Sequence, residues 1–478
     1  MALRTPADYA ASLRDDREVW FRGARVPDVT LHPIIGKAVE HAKIDFLMAE
    51  EEAYRHLAVI EEDGRKYSRY YKIPQNAEDL LLRSRLIESA TAEGKTLVVL
   101  IKEIGTDALF ALLAVTAQMQ DPVYHERVRS FYKYCRDNDL ALATAQTDVK
   151  GDRVKRPSEQ ADPDLYLRVV NRRTDGIVVR GAKIHTSVTP NVNEVIVLPT
   201  RAMGPQEKDW SVAFAIPVNT PGVRLLTSPF GDGAFRPGER PISAHHKMME
   251  TMTVFDDVFI PNERIFLDGQ TSQAGALALT FVEYHRFTAI SYKLPLVDAI
   301  VGAAITIADY NGILKASHVR EKLIQLIAYA ETLRALTQKA AERCVAKANG
   351  QVAPDPMTVN IAKSHFAHGY HEAVQHLQEL AGGILVTGPG DEDWTTDTTR
   401  RYLEKYLVGR DGVTAVQRMA MMNFIRDLTA SDFGAYQEVL AIHAEGSLEA
   451  EKMQIIRSFQ ENGGADRVMA MVRQMAER

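Results

Sequence analysis

Gly176-Ile-Val-Val-Arg180 is the first of four short apolar segments that set the middle of the chain apart from its two ends. Val195-Ile-Val-Leu198, Val212-Ala-Phe-Ala-Ile216 and Thr253-Val-Phe-Asp-Asp-Val-Phe259 follow it in the same style. β-Branched and aromatic residues fill these segments and Pro, Gly and Asn punctuate the intervals, which predicts short strands from about 160 to 265. On both sides the period changes. Residues 6 to about 145 are Ala- and Glu-rich, with Asn76 or Asp79 as candidate caps and an apolar stretch from Leu97 to Met119 interrupted by Gly105-Thr106-Asp107. Beyond about 275, Val319, Leu323, Leu326, Ala330, Leu333 and Ala340 keep one helical face apolar for roughly six turns, as a bundle helix requires. The expected class is α+β: an N-terminal helical region (1–145), a middle β-barrel or sheet region (146–272) and a C-terminal helical bundle (273–478).

The 478 residues are enough for two or three packed layers, and 46% hydrophobic with 25% charged residues is ordinary for a soluble globular chain. A net charge of -6 argues against broad nucleic-acid binding. Cys135 and Cys344 stand far apart with no CxxC or Cys/His spacing, so neither a disulfide framework nor a structural zinc site is expected, and a reduced cytoplasmic setting fits. The N-terminal MALRTPADYAASLRDD has charges throughout, unlike a signal peptide, and no uninterrupted run of about 18 apolar residues suggests a membrane span. Neither GxGxxG after a strand nor GxxxxGK[ST] occurs, so a dinucleotide would have to bind by another route.

Thr147-Asp-Val-Lys-Gly-Asp-Arg153 packs an acceptor hydroxyl, two carboxylates and two cations around one glycine, ahead of Pro157-Ser158 and the run DPDLYLRVV over residues 162–170. Such a loop suits a polyanionic or polar-edged ligand; its plainer reading is a solvated, salt-bridged turn. Gly382-Gly383, followed by Thr387-Gly-Pro-Gly390, permits close backbone approach or simply stops a helix. His365, His368 and His376 share a sector of about 80° on one helix while His371 points elsewhere; spread over two turns, they read as a polar bundle face, and no metal site is expected.

Together with Arg180-Gly-Ala-Lys183 and the polar turn His185-Thr186-Ser187, the cluster resembles the flavin-binding middle of the 4-hydroxyphenylacetate 3-hydroxylase family, which also contains 4-hydroxybutyryl-CoA dehydratase. The resemblance covers nearly the whole chain. It implies an acyl-CoA dehydrogenase-like architecture with FAD between the β region and the bundle, completed by a neighbouring subunit of a dimer or tetramer. It places Thr147, Thr186 and Ser187 near the flavin ring, Lys150 and Arg153 toward the ring or pyrophosphate, and Gly382 and Gly383 at the adenine or pyrophosphate end. The segment Asp427–Glu438 resembles a signature lining the flavin and substrate pocket, so Ser431 is assigned to the cofactor, Gln437 to the substrate and Glu438 to proton transfer. His285 matches a histidine facing the flavin, Glu250 an active-site glutamate, and Lys293 a lysine beside a cluster cysteine, assigned here to the substrate.

The chain departs from both branches of that family. The dehydratase holds a [4Fe–4S] cluster on a histidine, matched by His285, and on three cysteines, matched here by Val99, Glu103 and Tyr292. The phenol-binding arginine and tyrosine of the hydroxylases fall near Ile104 and Ala108, and their histidine falls at Thr144. The resemblance thus implies FAD without an iron–sulfur cluster. The expected activity is that of a two-component monooxygenase, supplied with reduced FAD by a separate NAD(P)H:flavin reductase and acting on a small molecule. The alternative is a cluster-free dehydratase or isomerase of an acyl-CoA or related acid, with His285 and Glu250 as base and acid.

Overall fold

The computed structural model describes residues 3–233 and 236–477. Its β segments form two main sheets. One runs Ala24–Val26, Glu18–Phe21, Val223–Thr227, Glu250–Pro261, Gly176–Ser187 and Arg168–Arg172 in spatial order; the other runs Ile265–Asp268, Val212–Pro217, Glu194–Val197 and Leu142–Ala145. The fold is α+β, as expected from the change of period.

Two details differ from the sequence reading. Strands Glu18–Phe21 and Ala24–Val26, and the hairpin Val59–Glu62 with Arg65–Ser68, arise within the segment expected to be helical. Glu18–Phe21 is held by parallel pairing with Val223–Thr227, a long-range partner that no local pattern reveals. Also, His185-Thr186-Ser187 is the end of a twelve-residue strand, Gly176–Ser187, rather than a turn. The polar look of that end has a backbone cause, since His185 sits at φ 59 and bends the strand.

The pairing of Gly176–Ser187 with Glu250–Pro261 carries a bulge between Phe255 and Val258, where Asp257 takes φ 54. Buried positions accordingly switch from Thr251, Thr253 and Phe255 to Val258 and Ile260. Gly181 is required for a similar reason. It sits at φ +135, and a Cβ there would lie 2.7 Å from the Leu167 Cα.

All fourteen residues of helix Glu103–Thr116 are buried, which is why its sequence shows an apolar run and no amphipathic period. Gly105 is the point of closest approach to strand Leu142–Ala145, for an added Cβ would stand 2.1 Å from the Leu142 Cβ. The chain divides into two compact units, Met1–Asp232 with His246–Thr288 and Ala346–Ala353, and Gly233–His245 with Ala289–Val345 and Pro354–Arg478. Helix Thr271–Tyr310 supplies residues to both. By length and composition it is apolar enough to cross a membrane, a property the sequence reading missed because Glu283, Arg286 and Lys293 interrupt the run; 61% of its most apolar window is buried inside the protein. Helix Ser317–Glu342 buries the expected Val319, Leu323, Leu326, Ala330, Leu333 and Ala340.

Gly105→Ala should destabilise the fold by about 1–3 kcal/mol through overpacking against Leu142. Denaturant unfolding checks this; an unchanged midpoint would mean that helix and strand separate freely at that point.

Candidate functional site

The loop after strand Leu142–Ala145 sorts its charges into two groups. Asp148 is buried and forms an ion pair of 2.8 Å with Lys183 on strand Gly176–Ser187, while its Oδ1 accepts the Leu167 N–H at 3.0 Å. The Lys183 ammonium also donates to the carbonyls of Gln146 and Leu198, at 2.8 and 3.0 Å. Burial pulls the Lys183 pKa down and the Asp148 charge opposes it. This half of the cluster is structural. Lys150 and Arg153 differ, since no hydrogen bond or ion pair engages either side chain among the described residues. Lys150 is half-buried at φ 78, and burial first and the Arg153 charge second lower its pKa. A half-buried cation without a partner suits an anion supplied from outside the chain. Thr147, next to them, accepts the Ile184 N–H through its carbonyl at 2.8 Å.

Ser187 and Glu250 stand opposite each other in the sheet, and the serine hydroxyl lies 2.9 Å from each carboxylate oxygen. Two residues singled out separately from the sequence are thus brought together. Thr186 is fully buried and its hydroxyl joins a threonine cluster, bonding to the Thr251 carbonyl at 2.9 Å and to the Thr253 Oγ1 at 2.7 Å. That hydroxyl is committed to the sheet, and the Thr186 carbonyl is engaged as well, accepting the Thr189 hydroxyl at 2.7 Å.

His285 is the best-built group. Its Nδ1 lies 3.2 Å from the Asp107 Oδ2, and the Phe281 ring stacks on it at 5.1 Å and 13°. The Asp107 Oδ1 accepts from Arg83 Nη2 at 2.8 Å and from the Thr288 hydroxyl at 3.0 Å. Arg83 is itself fixed by the carbonyls of Tyr70 and Glu103 and by the Thr106 hydroxyl, at 2.9, 3.0 and 2.9 Å. Sequence reasoning missed Asp107, Arg83 and Thr288; the available signal was a pair of carboxylates, Glu103 and Asp107, within an apolar run. Thr144 donates to the Ile104 carbonyl at 3.0 Å.

One turn before Asp107, Glu103 has an opposite setting. It is fully buried, its Oε1 meets no donor, and burial raises its pKa. Asp45 is also buried; no donor reaches either oxygen in hydrogen-bonding geometry, although the Tyr70 hydroxyl lies beside it. Its pKa stands well above the usual 3.8, through burial first and the Glu103 charge second, with Lys102 opposing.

The second unit has its own buried network. Lys293 lies 3.0 Å from the Glu445 Oε2 and 3.2 Å from the Tyr292 hydroxyl, which bonds to the same glutamate. Lys363 lies 3.8 Å from Glu445 and 3.3 Å from Glu451. Burial and the Lys363 charge push the Lys293 pKa well below its ordinary value. Ser431 caps helix Asp432–His443, accepting from the N–H groups of Phe433 and Gly434, while Gln437 is buried and Glu438 half-buried on that helix. Gly382, at φ 78, ends helix Pro356–Ala381, and no heavy atom lies within 4 Å of a Cβ built on it or on Gly383. His365 and His368 bond to the carbonyls of Tyr329 and Ser364 at 3.1 and 2.7 Å.

The family models described as 4-hydroxyphenylacetate 3-hydroxylase N terminal and C terminal match residues 5–267 and 274–473. The chain belongs to this family. It is 31% identical to the 4-hydroxybutyryl-CoA dehydratase/vinylacetyl-CoA-Delta-isomerase of Clostridium aminobutyricum, over 95% of this chain and 96% of that one. It is 30% identical to the 4-hydroxyphenylacetate 3-monooxygenase oxygenase component of Thermus thermophilus, over 91% and 90%. Among solved structures, an oxygenase component complexed with FAD superposes with a TM-score of 0.91 at 27% identity, covering 99% of both chains. The oxygen-tolerant 4-hydroxybutyryl-CoA dehydratase of N. maritimus gives 0.91 at 30% identity, covering 98% of this chain and 95% of that one.

Asp45 yields a pH test. Its folded pKa exceeds the unfolded one, so the folded state holds the proton more tightly. The associated stability is complete below the unfolded value of 3.8 and declines as pH rises toward the folded value. Asp45→Asn should therefore be more stable than the parent near neutral pH, with the difference shrinking as pH falls toward 4. Melting curves across that range check it, and a variant less stable at neutral pH would contradict the sign.

Proposed function

We propose that this chain is the oxygenase component of a two-component flavin monooxygenase. It would take reduced FAD from a separate NAD(P)H:flavin reductase and act on a small aromatic or related substrate with O2. The observation that carries the reading is the unpartnered pair Lys150 and Arg153, on a loop that Asp148 ties to strand Gly176–Ser187, in a chain of this family. This donor set fits FAD: the two cations match its pyrophosphate, and Thr147 and Ser187 offer polar atoms toward the ring; Gly382 and Gly383, in the other unit, are assigned to the adenine or pyrophosphate end by the family resemblance alone. When bound, FAD supplies the reducing equivalents and activates oxygen.

His285 then holds or moves a proton, with its ring plane set by Phe281; Glu250, steadied by Ser187, and Glu438 are the further acids in this assignment. Thr144, Lys293 and Gln437 belong to the substrate side, and Thr186 and Ser431 support the cofactor region through their backbone neighbours. The residues Val99, Glu103 and Tyr292 form no thiolate set, so the proposed enzyme carries no iron–sulfur cluster. We retain the three-part division at 145 and 272 and a cytoplasmic location as part of this proposal. The dehydratase relative of 31% identity favours a second reading, a cluster-free dehydratase or isomerase with His285 and Glu250 as base and acid.

Mixing protein, chemically reduced FAD and oxygen separates the two readings. Oxygen consumption by the bound cofactor, beyond the direct oxidation of free reduced FAD by oxygen, supports the oxygenase; failure of FAD to bind in either redox state, or about four irons per chain on metal analysis, overturns the iron-free flavoenzyme. In that assay His285→Asn should keep the fold and FAD binding while lowering turnover roughly 10²–10⁴-fold. Unchanged turnover would move the proton to Glu250 or Glu438.

The proposal includes a dimer or tetramer. Met453, Ile456, Met469, Met471, Val472 and Met475 are all exposed on the last two helices, Leu448–Glu461 and Gly464–Ala476, where a second copy would cover them. Sedimentation should show such an assembly, and a stable monomer with full FAD affinity would refute it.

A further inference from the structure

We infer that Asp107 is the positioning residue that fixes the tautomer of His285 and leaves Nε2 as the basic nitrogen; this rests on the proton role proposed above for His285. The Asp107 side chain is fully buried and the His285 side chain is 11% exposed, so water does not compete for the pair. An ionised carboxylate can only accept hydrogen bonds. Its Oδ1 is taken by the Arg83 guanidinium at 2.8 Å and by the Thr288 hydroxyl at 3.0 Å. Its Oδ2 faces the imidazole at 3.2 Å, so Nδ1 must carry the proton there. In the neutral ring this makes Nε2 the acceptor. No hydrogen bond to Nε2 occurs among the described residues, so that lone pair is not consumed by the fold.

The arrangement is over-determined in a way that mere packing does not require. Phe281 stacks on the ring and sets its plane. Thr288, three residues beyond His285 on the same helix, binds the other oxygen of the same carboxylate, so imidazole and hydroxyl grip Asp107 from one helical face. Arg83 approaches from helix Ala77–Glu93 with Tyr70, Glu103 and Thr106 holding its remaining donors. Asp107 thus cannot turn without abandoning a buried guanidinium. The rigid carboxylate orients the histidine, and the histidine presents one defined nitrogen to whatever proton the reaction moves.

The test reads the tautomer directly, on full-length protein loaded with FAD and labelled with [15N]histidine. His285→Asn identifies the resonance by its disappearance. The expected spectrum has His285 protonated on Nδ1 and bare on Nε2 when the ring is neutral; protonation on Nε2 instead would overturn the inference. This measurement uses the parent protein, so a folding failure of Asp107→Asn cannot shelter the idea. Where Asp107→Asn folds, oxygen consumption with reduced FAD should fall about 10²-fold with FAD affinity unchanged. In a His285→Asn background the same change should cost no further turnover. Full turnover in Asp107→Asn, set against a loss in His285→Asn, would also overturn it. Absence of oxygen consumption by the parent protein, with the Nδ1-protonated spectrum present, would defeat the oxygenase reading and leave the positioning role standing.

Discussion

The carboxylate of Asp107 is the constraint on which the helical part of the first unit depends. A fully buried charge is tolerated only when opposite charge and hydrogen bonds replace water, and removing one partner of such a pair costs about 3–5 kcal/mol. Asp107 meets this condition with three donors from two helices, Arg83 on helix Ala77–Glu93 and both His285 and Thr288 on helix Thr271–Tyr310, around its own helix Glu103–Thr116. Apolar packing would let these helices slide by a fraction of a turn. A directional, charged contact does not, so rotation and register of all three are set at one atom group.

The β part uses the same device once more. Lys183 and Asp148, each 2% exposed, lock the loop over residues 146–153 onto strand Gly176–Ser187. The pairing decides what the loop can bind. With Asp148 committed to Lys183 and Asp152 facing Lys155 at 3.9 Å, Lys150 and Arg153 are left as the loop's positive edge, although the whole chain carries a net -6. A sequence reading counts four charges around Gly151 and cannot tell which two are spent internally; only the register of the sheet shows it.

Much of the fold was legible. The four segments read as strands fall on strands, with Leu198 alone one residue past a strand end, and the face Val319 to Ala340 is buried, because period and residue type follow directly from which side meets the core. The strand Glu18–Phe21 was not legible, since its partner lies some 200 residues away. The hairpin at Asp63-Gly64 was legible and overlooked: both residues take positive φ, 50 and 70, in the Asp-Gly turn that favours hairpins. In the site, Ser187 and Glu250, both assigned through the family resemblance, prove adjacent. Thr186 and Ser431 were chosen for their hydroxyls, which the structure commits to a threonine cluster and a helix cap. A side chain's partners are a tertiary fact, and residue type alone cannot report whether a hydroxyl is free.

Glu103 and Asp107 show how far environment outruns sequence. They stand one turn apart on one helix, both fully buried. Asp107 is met by a guanidinium, a hydroxyl and an imidazole. Glu103 is met by backbone N–H groups, that of Lys102 at 3.1 Å among them, while its Oε1 receives nothing, so burial favours its neutral form. Two carboxyl groups within one turn are thus held differently: one accepts from three side-chain donors, and the other has its neutral form favoured by burial. Asp45, from helix Ile44–Glu50, adds a second carboxyl whose pKa burial raises, with the Glu103 charge as the next cause. The carboxyl facing His285 is matched by three donors while the poorly matched ones are pushed toward their neutral forms, which is how a helix buried on every side carries two acids.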